Sequence, residues 1–279
     1  MQYLFRFFLV LSAVVIIQYN RLEAQDARPL SIGETLEINS DILGEKRTLN
    51  IYLPPGYDNS QDVSYPVIYL LDGSLNEDFL HIVGLVQFFE MQMGFPKTIV
   101  VGIGNVDRKR DFTFHTDIAS LTKTYPTTGK SALFIDFIEK ELKPFIRNKY
   151  KTGKQEILLG QSLGGLVATE IFFKKPGLFN NYIIVSPSLW WDNESLLKAG
   201  KTYLDTHLDS EIKVTVIVGK EGKQMEDDAQ ALAVLLQNSK QKKLKVDFIT
   251  MPKEDHATIL HNAIYEVFLR MNKELKKNK

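Results

Sequence analysis

The stretch Glu156-Ile157-Leu158-Leu159-Gly160-Gln161-Ser162-Leu163-Gly164-Gly165 constrains this chain more than any other. A short apolar run leads straight into Gly-x-Ser-x-Gly, and the segment Val167 to Phe173 that follows suits a helix. Strand, tight turn and helix in immediate succession make a nucleophile elbow, with a serine at the apex of a strained turn. Ser162 at that apex turns its hydroxyl away from the sheet. Gly160 and Gly164 are expected where side chains would collide as strand and helix cross. The helix start beneath Ser162 offers free N–H groups and a positive dipole end to a developing oxyanion. The plain alternative is a glycine-rich strand-to-helix turn with an incidental serine. The pattern an elbow needs is nevertheless present on both sides.

The chain has 279 residues, a length that suits one large α/β domain. Apolar residues make up 44% and charged residues 24%, enough for a sizeable buried core in a soluble protein. The formal net charge is zero and neither half is strongly basic, so no nucleic-acid partner is indicated. Cysteine is absent, which removes disulfides, thiol catalysis, cysteine-based zinc sites and a lipidated N-terminal cysteine together.

Residues 1–24 resemble an export signal. Arg6 supplies a positive start, most of Leu4 to Ile17 is apolar, and Leu22-Glu23-Ala24 ends in a small residue before Gln25. The apolar run is shorter than the ~20 residues a membrane span needs. Cleavage would leave 32 basic against 33 acidic residues, a mature charge of −1. The expectation is a signal peptide at 1–24, a single domain at 25–279, and a periplasmic or secreted protein with no stable membrane insertion.

Along the rest of the chain, Thr35 to Ile51 reads as two antiparallel strands around a turn at Gly44. Tyr65 to Leu71 and Thr98 to Gly104 read as buried strands, separated by a helix around His81 to Met93. Asn105 to Gly129 reads as a long polar loop with embedded aromatics, a type that is usually functional. Ser131 to Tyr150 is an amphipathic helix that Pro144 should kink or split. Beyond the elbow come strands at Tyr182 to Val185, Val214 to Val218 and Leu244 to Met251. Helices fall at Ala229 to Leu236 and from about Ala257 to Leu275. Alternating strands and helices predict a mostly parallel central sheet with helices on both faces.

In the α/β-hydrolase sheet that carries such an elbow, the order is serine, acid, histidine, each after a strand. Of five histidines, His207, His256 and His261 follow Ser162. His256 lies between the last strand and the last helix, where a general base belongs. His261 falls inside the final helix, which suits packing or surface exposure, and His207 precedes a strand rather than following one. For the acid, Glu221 is the first carboxylate after the Val214 to Val218 strand. Asp227 and Asp228 remain alternatives, although acids there also suit a helix start. The oxyanion donors should be the backbone N–H of Leu163 and, from the loop Asp72-Gly73-Ser74, that of Ser74. An ordinary Asp-Gly turn would account for the same loop.

Five pieces together resemble the serine esterase family of α/β-hydrolases. They are Tyr69-Leu70-Leu71-Asp72-Gly73; Gly102-Ile103-Gly104-Asn105 with Arg108 and Asp111-Phe112-Thr113; Gly160 to Gly165; Ser186-Pro187-Ser188-Leu189-Trp190-Trp191; and Glu254-Asp255-His256. Family members include siderophore esterases, formylglutathione hydrolase-like (esterase D-like) enzymes and mycolyltransferase relatives. The resemblance implies an α/β-hydrolase without a large cap domain, acting on a carboxyl ester through an acyl-enzyme, with no metal or organic cofactor. The pieces around Arg108, Trp190 and Trp191 lean toward the siderophore-esterase branch.

Arg108, beside Lys109, Arg110, Phe112, Phe114 and His115, is a candidate to bind an anionic aromatic ligand. A solvated basic loop with rings anchored in the core is the plain alternative. Of Trp190 and Trp191, one is expected to pack under the site and one to line it. Siderophore or related aryl esters are the leading substrate, with feruloyl or acetyl glycan esters and acyl transfer to a sugar as alternatives. A non-catalytic binder on the same fold is the competing class.

Overall fold

The computed structural model describes residues 29–205 and 208–277, so the export signal at 1–24 and His207 lie outside the described residues. Chain contacts divide at Ile32, and the fold below is that of the unit from Gly33 onward.

The chain opens with β1 (Glu34–Ser40) and β2 (Glu45–Tyr52), which pair antiparallel across a turn holding Gly44 at φ +67°. Then come β3 (Tyr65–Leu70), α1 (Phe79–Met93) and β4 (Ile99–Ile103). The loop expected after β4 is wound in part into two short helices, α2 (Arg108–Phe112) and α3 (Ala119–Thr124). Asp107 caps the first, its carboxylate accepting from the Arg110 N–H at 3.0 Å.

The amphipathic stretch that follows is split by Pro144. Helix α4 (Ser131–Phe137) passes into one π turn at Ile138–Leu142 and resumes as α5 (Lys143–Lys149). Proline has no N–H and its ring clashes with the preceding turn. The wider turn takes up the offset, with the Lys143 N–H reaching back five residues to the Ile138 carbonyl.

Next are β5 (Thr152–Gln161), α6 (Leu163–Lys174), β6 (Asn181–Val185) and α7 (Ser195–Leu204). The chain closes with β7 (Ile212–Gly219), α8 (Lys223–Gln237), β8 (Leu244–Met251) and α9 (Ile259–Lys277).

The eight strands form one sheet in the order β1-β2-β4-β3-β5-β6-β7-β8. β1, β2 and β4 pair antiparallel, and every pairing from β4 across to β8 is parallel. Alternate residues of the central strands enter two cores, one on each face. Val67, Tyr69, Leu158, Tyr182 and Val216 pack beneath α4 to α8, while Ile68, Leu70, Leu159, Ile183 and Ile217 pack beneath α1 and α9. Burial on both faces is why β3, β4 and β6 are nearly continuous apolar runs.

A buried ion network anchors the segment after β4. Arg47, fully buried on β2, donates to Asp111 at 2.7 Å and Glu45 at 2.8 Å, and Arg110 pairs with the same two carboxylates. Phe112 beside them is also fully buried. Arg110 and Phe112 therefore fasten this segment to the sheet: the Phe112 ring is a core anchor, as the plain alternative expected, but the Arg110 charge is spent on Glu45 and Asp111 and not left to solvent.

Candidate active site

Ser162 stands between β5 and α6 with φ +60° and ψ −119°, a backbone region that costs a side-chain-bearing residue energy. Surrounding hydrogen bonds hold it there. Its N–H donates to the Val185 carbonyl at 3.0 Å, and its carbonyl accepts from the N–H groups of Leu166 at 2.9 Å and Ser188 at 3.0 Å. A Cβ at Gly160 would meet the Gly164 carbonyl oxygen at 2.5 Å, so the strand–helix crossing requires glycine there. At Gly164 a Cβ would find only ordinary contacts, the nearest at 3.4 Å. The second crowded glycine is Gly165, where it would meet Pro187 at 2.9 Å. The steric demand falls one residue later than expected because α6 meets the strand end of β6 through Gly165.

Glu221 and His256, from the loops after β7 and β8, are joined. The carboxylate Oε2 lies 2.5 Å from His256 Nδ1. The other oxygen, Oε1, accepts from the Gly219 N–H at 3.0 Å and from the Ser186 hydroxyl. Burial pushes the Glu221 carboxyl up, but hydrogen bonds from His256, Ser186 and Gly219 outweigh it and hold the group below the ordinary glutamate range. Asp227 pairs instead with Lys223 on the surface of α8, and Asp228 is buried in that helix.

The loops carrying Glu221 and His256 are tied to each other and to the elbow. The Lys220 N–H donates to the Glu254 carbonyl at 2.7 Å, and the Gln161 side-chain amide donates to the His256 carbonyl at 2.6 Å. Asp255 accepts from the N–H groups of Ala257 and Thr258 just ahead of α9, fixing the turn that follows the histidine. His261 lies on α9, stacked on His81 with ring centroids 3.6 Å apart.

Ser162 and His256 both face two adjoining hollows. One, of about 600 Å³, is lined by Ser188, Trp190, Lys220, Glu221, Met225, Asp255 and Ala257 besides that pair. The other, of about 420 Å³, is bounded by Asp72, Glu77, Asp78, Arg108 and Gln161. The Ser162 hydroxyl lies 3.3 Å from that of Ser188, a neighbour that sequence reasoning did not single out. Its only sequence signal was its place in Ser186-Pro187-Ser188, directly after a strand.

Other expectations need correction. Arg108 is committed to Asp72 through two hydrogen bonds, Nε to Oδ1 at 2.7 Å and a terminal nitrogen to Oδ2 at 2.9 Å, and it also reaches the Gln161 carbonyl at 3.3 Å. It clamps the post-β3 loop to the elbow, and its charge is already paired. The Ser74 N–H is engaged too, donating to Glu77 Oε2 at 3.2 Å. The Leu163 N–H stands at the first position of α6, where no intrahelical acceptor exists. Trp190 lines the larger hollow, whereas Trp191 is buried and donates its indole N–H to the Phe114 carbonyl at 3.0 Å. Of the two tryptophans, Trp190 is the one that can touch a ligand in this arrangement.

The strand order, the elbow and a histidine–carboxylate pair at the strand ends define an α/β-hydrolase fold. Residues 40–258 match the family described as Putative esterase, and the chain belongs to that family. Among similar proteins, the ferri-bacillibactin esterase BesA of Bacillus subtilis is 28% identical over 77% of this chain and 82% of its own length. The siderophore triacetylfusarinine C esterase of Aspergillus fumigatus is 29% identical over 64% and 63%. In structure, an IroE-like serine hydrolase from Shewanella oneidensis matches with a TM-score of 0.79 and 30% identity, covering 86% of this chain and 80% of that one. The relatives support ester hydrolysis as the activity class.

Proposed function

We propose that this protein is a serine carboxylester hydrolase acting on siderophore or related aryl esters. The observation that carries the reading is a hydroxyl on a strained elbow, Ser162, sharing one cleft with an imidazole whose Nδ1 rests on the buried carboxylate of Glu221. The relatives named for siderophore esterase activity support the substrate class.

In this reading the Ser162 hydroxyl turns from Ser188 toward His256 Nε2, which takes its proton as the oxygen attacks the acyl carbon. Glu221 holds the ring with Nε2 facing the cleft and stabilises the imidazolium. The Leu163 N–H receives the oxyanion, and the Ser74 N–H can join it only once Glu77 releases that donor. Collapse expels the alcohol with a proton from His256. Water then attacks the acyl-enzyme by the same route in reverse, freeing the acid. The Trp190 face at the wall of the larger hollow suits the aromatic portion of such an ester. The apolar leader at 1–24 supports export, which a mature N-terminus at Gln25 in the exported protein would test.

Hydrolysis of a short p-nitrophenyl ester and of a ferric catecholate siderophore should be followed beside the Ser162→Ala and Glu221→Ala variants. Ser162→Ala should lose about 10³-fold or more in kcat. Turnover that survives this change would end the serine reading. Hydrolysis confined to feruloyl or acetyl glycan esters would redirect the substrate, and acyl transfer outrunning hydrolysis when a sugar is present would make the protein a transferase. Binding of the siderophore without turnover, unaltered by Ser162→Ala, would make it a binder.

A further inference from the structure

Ser186 ends β6 at the site side of the sheet and belongs to none of the groups that react. It is fully buried and its φ is +43°, a left-handed backbone that serine rarely adopts. Its N–H donates to the Ile217 carbonyl at 2.7 Å, pinning the turn to β7, and Pro187 follows at once. The consequence of this backbone is where the hydroxyl goes: it donates to Glu221 Oε1 from a neighbouring strand.

A glutamate has three side-chain torsions, and its carboxylate can present either oxygen in many directions. In this site Oε1 is held by two donors from different strand ends, the Ser186 hydroxyl and the Gly219 N–H, the latter at 3.0 Å. With Oε1 fixed, the carboxylate plane is set and Oε2 is left for His256 Nδ1 at 2.5 Å. The Glu221 side chain is almost wholly buried, so water cannot replace a missing donor at no cost. The backbone bond from Gly219 alone would leave the group free to pivot about that contact.

We infer that Ser186 is a positioning residue, whose hydroxyl orients the Glu221 carboxylate so that His256 is held for proton transfer. This rests on the Ser162–His256–Glu221 reading and adds a fourth group, on a separate strand, to it. The hydroxyl stays a donor throughout. No bond to it is made or broken.

The test is the kcat and KM of Ser186→Ala and Ser186→Gly, alone and combined with Glu221→Ala. The glycine variant removes the hydroxyl while fitting the positive φ without strain, so it keeps the question answerable where the alanine variant folds poorly. Both should lower kcat by about tenfold to a hundredfold with little change in KM, the range for one lost hydrogen bond to a charged group. In a Glu221→Ala background, Ser186→Gly should cost nothing further, since the group it orients is gone. Unchanged kcat, or losses that multiply in the double variant, would overturn the inference. Full turnover by Ser162→Ala would instead remove the reading on which it stands.

Discussion

The side-chain amide of Gln161 donates to the backbone carbonyl of His256 at 2.6 Å, so the residue preceding Ser162 grips the loop that carries the histidine. The two lie 95 positions apart in sequence. Serine and histidine therefore share a mechanical support as well as a cleft. Gln161→Ala removes one neutral hydrogen bond, worth about 1 kcal/mol, and should lower kcat roughly fivefold while leaving KM and the melting temperature nearly unchanged. Steady-state kinetics on one soluble ester would check this. A change confined to KM would assign the amide to substrate binding instead.

Trp190 and Trp191 are neighbours in sequence with opposite fates. Trp191→Ala should destabilise the protein by about 3–5 kcal/mol, the cost of emptying a large buried site. Trp190→Ala should leave stability near its original value and raise KM for aryl esters by the equivalent of about 0.5–1.5 kcal/mol, with a smaller effect on acetyl esters. Denaturant melts and a pair of matched substrates separate the two.

Arg108 is spent on Asp72, so its loss should be felt in stability first. Arg108→Ala leaves a largely buried carboxylate without its charge partner, with only the Asn105 amide still donating to it, and should cost about 1–3 kcal/mol. Lysine should rescue only part of this, because it cannot reproduce a two-point contact. The ratio of kcat/KM for anionic and neutral esters should stay as in the unaltered protein. A fall in that ratio would restore Arg108 to the ligand-binding role expected from its sequence context.

Asp228 offers a pH test away from the cleft. Burial pushes its carboxyl up, with Glu194 and Asp227 adding to the effect, from 3.8 to about 6. Its Oδ2 is buried without a hydrogen-bond partner. Between those pH values the folded protein keeps a proton that the unfolded chain has lost, so stability falls as pH rises. Above about pH 6 the penalty is complete, and below 3.8 it is absent. Asp228→Asn should therefore raise the melting temperature at pH 7.5 and give no gain near pH 4. A gain that is the same at both pH values would sink this account.

Much of the molecule was legible in local pattern. Apolar runs bounded by turn residues marked β3, β4, β6 and β7, because a strand buried on both faces has nowhere to put a polar side chain. Ser162 was legible because a strained turn between strand and helix accepts few residue types, and Glu221 and His256 because loops after parallel strands gather at one edge of a sheet. Pro144 announced the break in its helix, although not the π turn that absorbs it.

What pattern could not reveal is which partner each polar group finds. Arg108 read as a free cation beside aromatics and Ser74 as a free donor, yet Asp72 and Glu77 hold them. Trp190 and Trp191 were indistinguishable as letters, and a turn of the backbone sent one into the cleft and the other beneath it. Ser186 and Gln161 stand in two of the quoted motif pieces, but nothing local showed their partners, since their bonds to Glu221 and His256 cross 35 and 95 residues. The periodic elements, their alternation and the elbow follow from the order of residues, because those rest on short-range sterics and on burial that repeats along the chain. Pairing of charges and hydrogen bonds emerges with the folded sheet, because it depends on which strand ends the sheet order brings side by side.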